Sequence, residues 1–523
     1  MVKSFASVNK FNYSPDHLMT MKMGKAYVNR IIPVLPGDTW KIHHNPMARC
    51  QALISPAYGQ LNIIIHDFFV PPRVIWPEWY EGFLIKQPDG NGGWIQSTIP
   101  TITSPNGGWS KGSLADSMGY PVGVDCEVLA FKMRAYAKVI RDWYINQNIQ
   151  DADTVCPLST ASGSDTTTNT TMFNVNWNRD YFTGCLPWRQ RGDDVSIALS
   201  DVGVVGNGMT LGLTNGSSNL GLNTGVSGNN QALGIRFDSY GQTLPYSPGT
   251  GGESNAGNLG VTTDSTKSGL IAKTSALSFA IDQIRTAFQI KKKLEMDARG
   301  GARAVEYLLE HWHVRCSDGR LQRSEFLHGS KTPFLISEVL QTSSTDATTP
   351  QGNMAGHGFS VGGDRGYTKT FEEHGYIVSI VSIVPKAVYN SNGMPREDMK
   401  RSAEEFALPV LSHLSEDAVF KGELMYTGTS TDKQPLGFRP IYDDYRHMYS
   451  TVSGDFRDSL DFWTFARKFA NQPALNGDLI KVEQIDRPFA VSNQDQFLVC
   501  IKSHMKAYRK LPKQGLPGLI DHS

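Results

Sequence analysis

Leu61-Asn-Ile-Ile-Ile-His-Asp-Phe-Phe-Val70 decides the fold class. Leu61, Ile63 and Ile65 fall on one face of an extended chain, and Ile64, Phe68 and Val70 on the other. Branched and aromatic residues on both faces describe a strand covered on two sides. Pro71-Pro72 ends it, because neither residue can donate to a ladder. Tyr376-Ile-Val-Ser-Ile-Val-Ser-Ile-Val384 and Gln496-Phe-Leu-Val-Cys-Ile501 read the same way. Strand material therefore lies near both ends of the chain, with helices between.

The helical segments carry a 3.6-residue period. Leu277, Ala280, Ile281, Ile284, Ala287, Phe288 and Leu294 form one stripe, stopped at Gly300-Gly301, where glycine enters the left-handed region cheaply. Val305, Leu308, Leu309 and Trp312 mark a second helix. Met133, Tyr136, Ile140, Trp143 and Tyr144 mark a third, from Phe131 to Gln147. Residues 201–270 stand apart, holding 16 of the 50 glycines but only six charges. A loop of that length inside a domain is functional or a linker. There is no internal repeat, so strands separated by long excursions point to one sandwich with large insertions rather than a string of domains.

Composition narrows the function. The 523 residues carry 50 Lys plus Arg against 50 Asp plus Glu. Zero net charge excludes a polybasic coat that neutralises nucleic acid unaided. At 40% apolar and 10% aromatic, the chain is no acidic disordered tail. Cys50, Cys126, Cys156, Cys185, Cys316 and Cys500 form no C-x-x-C pair and read as free thiols. The N-terminus has no apolar core of a signal peptide, and Tyr376–Val384 is far too short for a membrane span. Synthesis in a cytoplasm is expected.

No catalytic constellation emerges. Gly358-Phe-Ser-Val-Gly362 matches the nucleophile elbow, but that turn needs a strand before the serine and a helix after it; both flanks here read as loop. His311 and His313 point about 200° apart on a helix, so with Cys316 they make no ready zinc site. His43-His44 is weaker still. The neighbouring carboxylates Glu372-Glu373, Glu404-Glu405 and Asp443-Asp444 point to opposite faces of a strand and form no acid/base pair. Nucleotide, metalloprotease and calcium-loop motifs are absent from the sequence.

Two basic stretches remain. Lys502, Lys506, Arg509, Lys510 and Lys513 lie among His504 and Tyr508 without an acid, and the first thirty residues hold Lys3, Lys10, Lys22, Lys25 and Arg30 against Asp16 alone. Cations interleaved with aromatics suit a single-stranded nucleic acid; solvated chain ends are the other reading.

Arg30-Ile-Ile-Pro-Val-Leu-Pro-Gly-Asp-Thr-Trp40 followed by Asp67-Phe-Phe-Val-Pro-Pro-Arg-Val-Ile-Trp-Pro-Glu-Trp79 resembles the major capsid proteins of microviruses, small single-stranded DNA bacteriophages, in their gokushovirus branch. Gly112-Ser-Leu-Ala-Asp116, Arg179-Asp-Tyr-Phe182, Leu186-Pro-Trp188, Asp297-Ala-Arg-Gly-Gly301, Glu373-His-Gly-Tyr376 and Gly515-Leu-Pro-Gly-Leu-Ile-Asp-His522 carry the likeness along the chain in the family's order. Residues 201–270 depart from it.

The resemblance implies a mainly β fold, an eight-stranded viral jelly roll with long, partly helical insertions, over residues 1–523. It implies pentamers closing into a T=1 icosahedral shell around circular single-stranded DNA, and no enzyme activity. The insertion 201–270 would form a surface protrusion at the threefold axes and serve host attachment. Implied partners are further copies of the chain, an internal scaffolding protein, a small basic DNA-binding peptide, a pilot or spike-type minor virion protein and a host surface receptor. The implied location is the virion, after assembly in the bacterial cytoplasm, with no membrane insertion. No cofactor is implied; a structural divalent cation is left open. Trp76, Trp79, Tyr80, Trp94, Trp109 and Trp188 lie in Pro/Gly-rich sequence, where aromatics suit subunit interfaces. The competing reading is a carbohydrate-binding or glycoside-hydrolysing β-sandwich with those aromatics as a sugar platform.

Overall fold

The computed structural model describes residues 8–91, 93–95, 97–195, 281–301, 303–340, 354–414, 416–491 and 494–513, and the backbone of four short strands between 204 and 272. In chain order the principal strands are β1 (Asn9–Tyr13), β2 (Asp16–Met21), β3 (Tyr27–Val34), β4 (Thr39–Cys50) and β5 (Leu61–Val70). Helices α1 (Phe131–Val139), α2 (Ile281–Gly300) and α3 (Ala304–Trp312) follow. Then come β6 (Glu325–Pro333), β7 (Leu335–Leu340), β8 (Met354–Val361), β9 (Tyr367–Thr370), β10 (Gly375–Pro385) and β11 (Phe497–Arg509). The fold is mainly β, built of several antiparallel sheets.

Two of these sheets organise the molecule. A seven-stranded sheet runs β1-β11-β4-β8-β7, with β2 also on β11 and β9 also on β4. A four-stranded sheet runs β6-β5-β10-β3. They pack against each other through one face of each. Trp40, Ile42, Met505 and Ala507 from the first sheet cluster with Val34, Phe69 and Ile377 from the second. His44 on β4 reaches across to Asp67 on β5, Nε2 to Oδ2 at 2.9 Å, both almost wholly buried.

The central strands of the four-stranded sheet, β5 and β10, are buried on both sides, as their sequence predicts. The even-numbered residues of β5 turn toward the segment from 131 to 144, where the ring of Phe68 lies 5.7 Å from that of Trp143. Helix α1 ends at Val139, and the chain widens into a π-turn over Ile140–Tyr144, so the regular helix stops short of Gln147. The wider turn brings Trp143 and Tyr144 together on the sheet, where Tyr144 hydroxyl meets His66 Nδ1 at 2.9 Å. Arg134 is fully buried beneath the helix, its Nε 2.8 Å from Asp165 and its Nη groups donating to the carbonyls of Ile75 and Ala161. That fork ties the helical insertion to the loops on either side of it.

Two sequence expectations change here. The Gly362–Gly366 side of Ser360 is loop as expected, but the stretch before Ser360 is not, because 354–361 is strand β8, paired with β4 and β7. Its glycines permit close approach rather than a turn: a Cβ at Gly356 would lie 2.5 Å from Ser55 O, and one at Gly358 would lie 2.8 Å from Cys50 Sγ. Ser360 is buried and donates to Pro333 O at 2.9 Å, which gives it a structural task. Strand β11 runs eight residues past Ile501, to Arg509, since its alternation continues through small residues, Ser503 and Ala507.

Residues 194–291 form a second compact unit. Its described backbone pairs Val204–Gly206 with Leu270–Ala272 and Ile235–Phe237 with Thr243–Pro245. The rest of the 201–270 insertion, and the start of the helical stripe at Leu277–Ala280, lie outside the described residues. Among the described residues no helix is long and apolar enough to cross a membrane.

Candidate nucleic-acid interface

Strand β11 alternates strictly. Phe497, Val499, Ile501, Ser503, Met505 and Ala507 are buried, while Lys502, Lys506 and Tyr508 are exposed on the other side. The neighbours follow the same parity. Lys506 stands between Asn12 on β1 and Lys41 on β4; Tyr508 stands between Lys10 and Thr39; Lys502 stands between Asp16 and Asn45. The two basic ends of the sequence thus meet on one face, with β4 adding Lys41. Across the ladder positions of β1, β2, β4 and β11, Asp16 is the single acid on that face. Among the described residues Lys10, Lys41, Lys502 and Lys506 have no ion pair, so their charge is available to a partner.

The five cationic candidates separate. Lys502 and Lys506 project from the open face, and Lys510 and Lys513 are exposed just beyond the strand. Arg509 has the opposite parity and is already committed. Its Nε lies 2.7 Å from Asp38, its Nη2 donates to Pro33 O at 2.7 Å, and its guanidinium sits 4.9 Å above the Trp40 ring. It fastens the 33–40 turn to the last strand, so it is a packing residue here and not a free cation.

The same face becomes apolar toward the start of β11. Leu18, Cys500, Met47 and Val361 line up across four strands, with Leu18 77%, Met47 48% and Val361 69% exposed. Phe359 and Leu335 extend the patch onto β8 and β7. Contiguous exposed apolar surface of this kind is where protein, membrane or ligand contacts form.

The six aromatic candidates also divide. Trp76 is fully buried, donates to Ser162 Oγ at 2.8 Å and packs on Phe83 and Phe131. Trp109 is likewise buried and stacks on Tyr120. Both are core residues within the subunit, because the Pro/Gly-rich excursion folds back on itself and covers them. Trp79, Tyr80 and Trp188 are half-buried. Trp94 is 67% exposed, on the small hairpin of Gln87–Pro88 with Trp94–Ile95. Val410 and Met448 are more exposed still, at 89% and 100%, and sequence reasoning passed over them because single apolar residues in loops carry no pattern.

His311 Nε2 contacts Asp297 Oδ1 at 2.6 Å and joins no metal cluster among the described residues. The six cysteines are all free thiols.

Residues 1–519 match the family model described as capsid protein (F protein). The chain belongs to this capsid protein family. It is 31% identical to capsid protein VP1 of Bdellovibrio phage phiMH2K, over 93% of this chain and 90% of that protein. It is 31% identical to capsid protein VP1 of Spiroplasma virus 4 over 93% and 91%, and 27% identical to that of Chlamydia phage 1 over 98% and 95%. These are gokushovirus relatives, as the sequence motifs indicate. The capsid protein has a structural, non-enzymatic role as a subunit that assembles into a shell and resides in the virion. The glycan-cleaving reading is thereby set aside, and the buried Trp76 and Trp109 offer no sugar platform.

Proposed function

We propose that this capsid protein is the major subunit of a T=1 icosahedral shell, assembled through pentamers, whose open basic sheet face is turned toward a single-stranded DNA genome. The observation that carries the reading is the convergence of Lys10, Lys41, Lys502 and Lys506 on one uncovered sheet face. We read the two principal sheets as an eight-stranded jelly roll. Counting β1 with β2 as one strand, and β7, β8 and β9 as another, gives eight strands in chain order. Their spatial orders are then 1-8-3-6 and 2-7-4-5, which supports interleaved Greek keys over a single-domain reading of residues 1–523. Zero net charge argues that a small basic peptide shares the neutralisation of the genome.

The remaining parts of the proposal follow from the family. The 201–270 insertion forms a threefold protrusion that serves host attachment, and an internal scaffolding protein and a pilot or spike-type protein take part in assembly. Lys510 and Lys513 extend the DNA-facing surface, and Trp94, Tyr80, Trp79 and Trp188 contribute to subunit contacts. Co-expression with the scaffolding partner, followed by sedimentation and negative-stain microscopy, tests the assembly. Closed uniform particles or discrete pentamers are expected; only monomers under those conditions contradict it.

A further inference from the structure

A cleft of about 430 Å³ opens on the basic face, lined by Lys41, His43, Arg365, Tyr367, His504 and Lys506, with Ile42, Gly366 and Thr368 completing its floor and wall. It is built, not incidental. The loop from Gly362 to Gly366 is clamped to β4 at His44, whose N–H donates to Asp364 Oδ1 at 2.9 Å and whose carbonyl accepts from Asp364 N–H at 3.2 Å. Gly366, at φ +65°, lets the loop press against the strand: a Cβ there would lie 2.4 Å from Ile42 O and 2.7 Å from His43 Cβ. The clamp leaves Arg365 exposed beside the cleft.

The lining has an unusual charge arrangement. Lys41, Arg365 and Lys506 have no ion pair among the described residues, and none of the lining residues is an acid. His43 and His504 stack face to face, ring centres 4.7 Å apart and 19° from parallel. Among the described residues the His43 ring has no hydrogen-bond partner, while His504 Nδ1 meets Ser14 Oγ at 3.2 Å. Two imidazoles at this distance repel each other when both are charged, unless an anion lies against them.

We propose that this cleft is a phosphate seat, one that takes a phosphate group of a nucleic-acid strand or of a free nucleotide and grips it more tightly as the His43 imidazole, stacked on His504, becomes protonated. It deepens the DNA-facing reading above and rests on it for the choice of ligand. Three full cations and two imidazoles converge on a site whose nearest carboxylate, Asp364, is engaged by the His44 N–H and faces His328 at 3.1 Å. Lys41 comes from β4, Lys506 from β11, Arg365 from the loop and Tyr367 from β9; His44, behind the pair, is turned to Asp67. Burial, then the neighbouring His504, holds the His43 imidazole below its ordinary value. A bound phosphate reverses that balance, so proton uptake accompanies binding near and below the usual imidazole pKa of about 6.5.

The test is isothermal titration of the full-length subunit with inorganic pyrophosphate, with dAMP and with an oligodeoxythymidylate, at pH 5.5 and 7.5. The oligodeoxythymidylate, whose phosphodiesters keep their charge across this range, should bind roughly tenfold more tightly at the lower pH, with proton uptake visible as a dependence on buffer ionisation heat. Pyrophosphate and dAMP, whose own phosphates titrate at about pH 6, should show the same gain as their difference from the histidine variant below. The double substitution His43→Gln/His504→Gln should abolish the oligonucleotide's pH dependence while leaving binding at pH 7.5 nearly intact. Lys41→Gln/Arg365→Gln should weaken pyrophosphate roughly tenfold or more, and Lys111→Gln, an exposed cation elsewhere, should change nothing. Oligonucleotide binding that persists while pyrophosphate and dAMP fail, or that ignores the histidine substitutions, overturns the seat and leaves the basic face standing. Pyrophosphate binding with the expected pH dependence, but no oligonucleotide binding, keeps the seat and removes the DNA-facing reading.

Discussion

The two principal sheets share an architecture and differ in what covers them. The four-stranded sheet has an apolar residue at nearly every position of β10, because one side meets the other sheet and the reverse side meets the 131–144 segment. The seven-stranded sheet buries one side only, and β11 records this as a strict alternation ending in lysines and a tyrosine. Antiparallel sheets commonly leave one face to solvent. In the proposed shell that face is the one turned toward the genome.

The comparison is broken most severely on the covered side. Arg134→Ala leaves Asp165 buried without its cation and should destabilise the subunit by about 3–5 kcal/mol, read as a shift in the urea midpoint at constant slope. A loss under about 1 kcal/mol would mean that the insertion does not brace the sheet.

Between the sheets, the His44–Asp67 pair should give stability a pH optimum. Burial lowers the His44 pKa, but the Asp67 charge and hydrogen bond outweigh it and hold the imidazole above its ordinary value. Burial raises the Asp67 carboxyl, and His44 outweighs that in turn and holds it below the usual range. The His44 contribution is complete below its unfolded pKa and is lost as pH rises through the raised folded value. The Asp67 contribution is complete above its unfolded pKa and is lost as pH falls through the depressed one. The pair therefore stabilises most between about pH 4 and 6.5. His44→Gln should flatten that window in urea unfolding followed across pH; an unchanged profile would remove the pair from the account.

On the open face the substitutions should be nearly silent for folding. Lys502→Glu/Lys506→Glu should move stability by no more than about 0.5 kcal/mol per site. The same variant should weaken oligodeoxythymidylate binding and lower the magnitude of its salt slope by about 1.4, the value for two lost phosphate contacts on a single strand. Arg509→Gln sharpens the contrast from within the same strand. It should cost about 1–3 kcal/mol, because Asp38 and Pro33 O lose a charged partner, and leave the salt slope unchanged.

Much of this was legible in the sequence. The 61–70 and 376–384 runs identified strands buried on both faces, since apolar residues fill both parities and need no partner to be recognised. Strand β11 was legible only to Ile501, because Lys502 reads as the end of an apolar run although the inward positions continue as Ser503, Met505 and Ala507. Followed through, the alternation puts Lys502, Lys506 and Lys510 on one parity and Arg509 on the other. The meeting of Lys10 with Tyr508 and of Lys41 with Lys506 was not legible, because antiparallel pairing over hundreds of residues leaves no local trace. Nor was the fate of Trp76 and Trp109 legible: Pro and Gly around them mark irregular backbone, which is not the same as exposed backbone.

Electron cryomicroscopy of particles produced with the scaffolding partner and the genome tests the central claim most directly. The account predicts closed T=1 shells in which the Lys10, Lys41, Lys502 and Lys506 face lines the interior against nucleic-acid density. Closed shells with that face directed outward, or sealed dry between subunits, would contradict it.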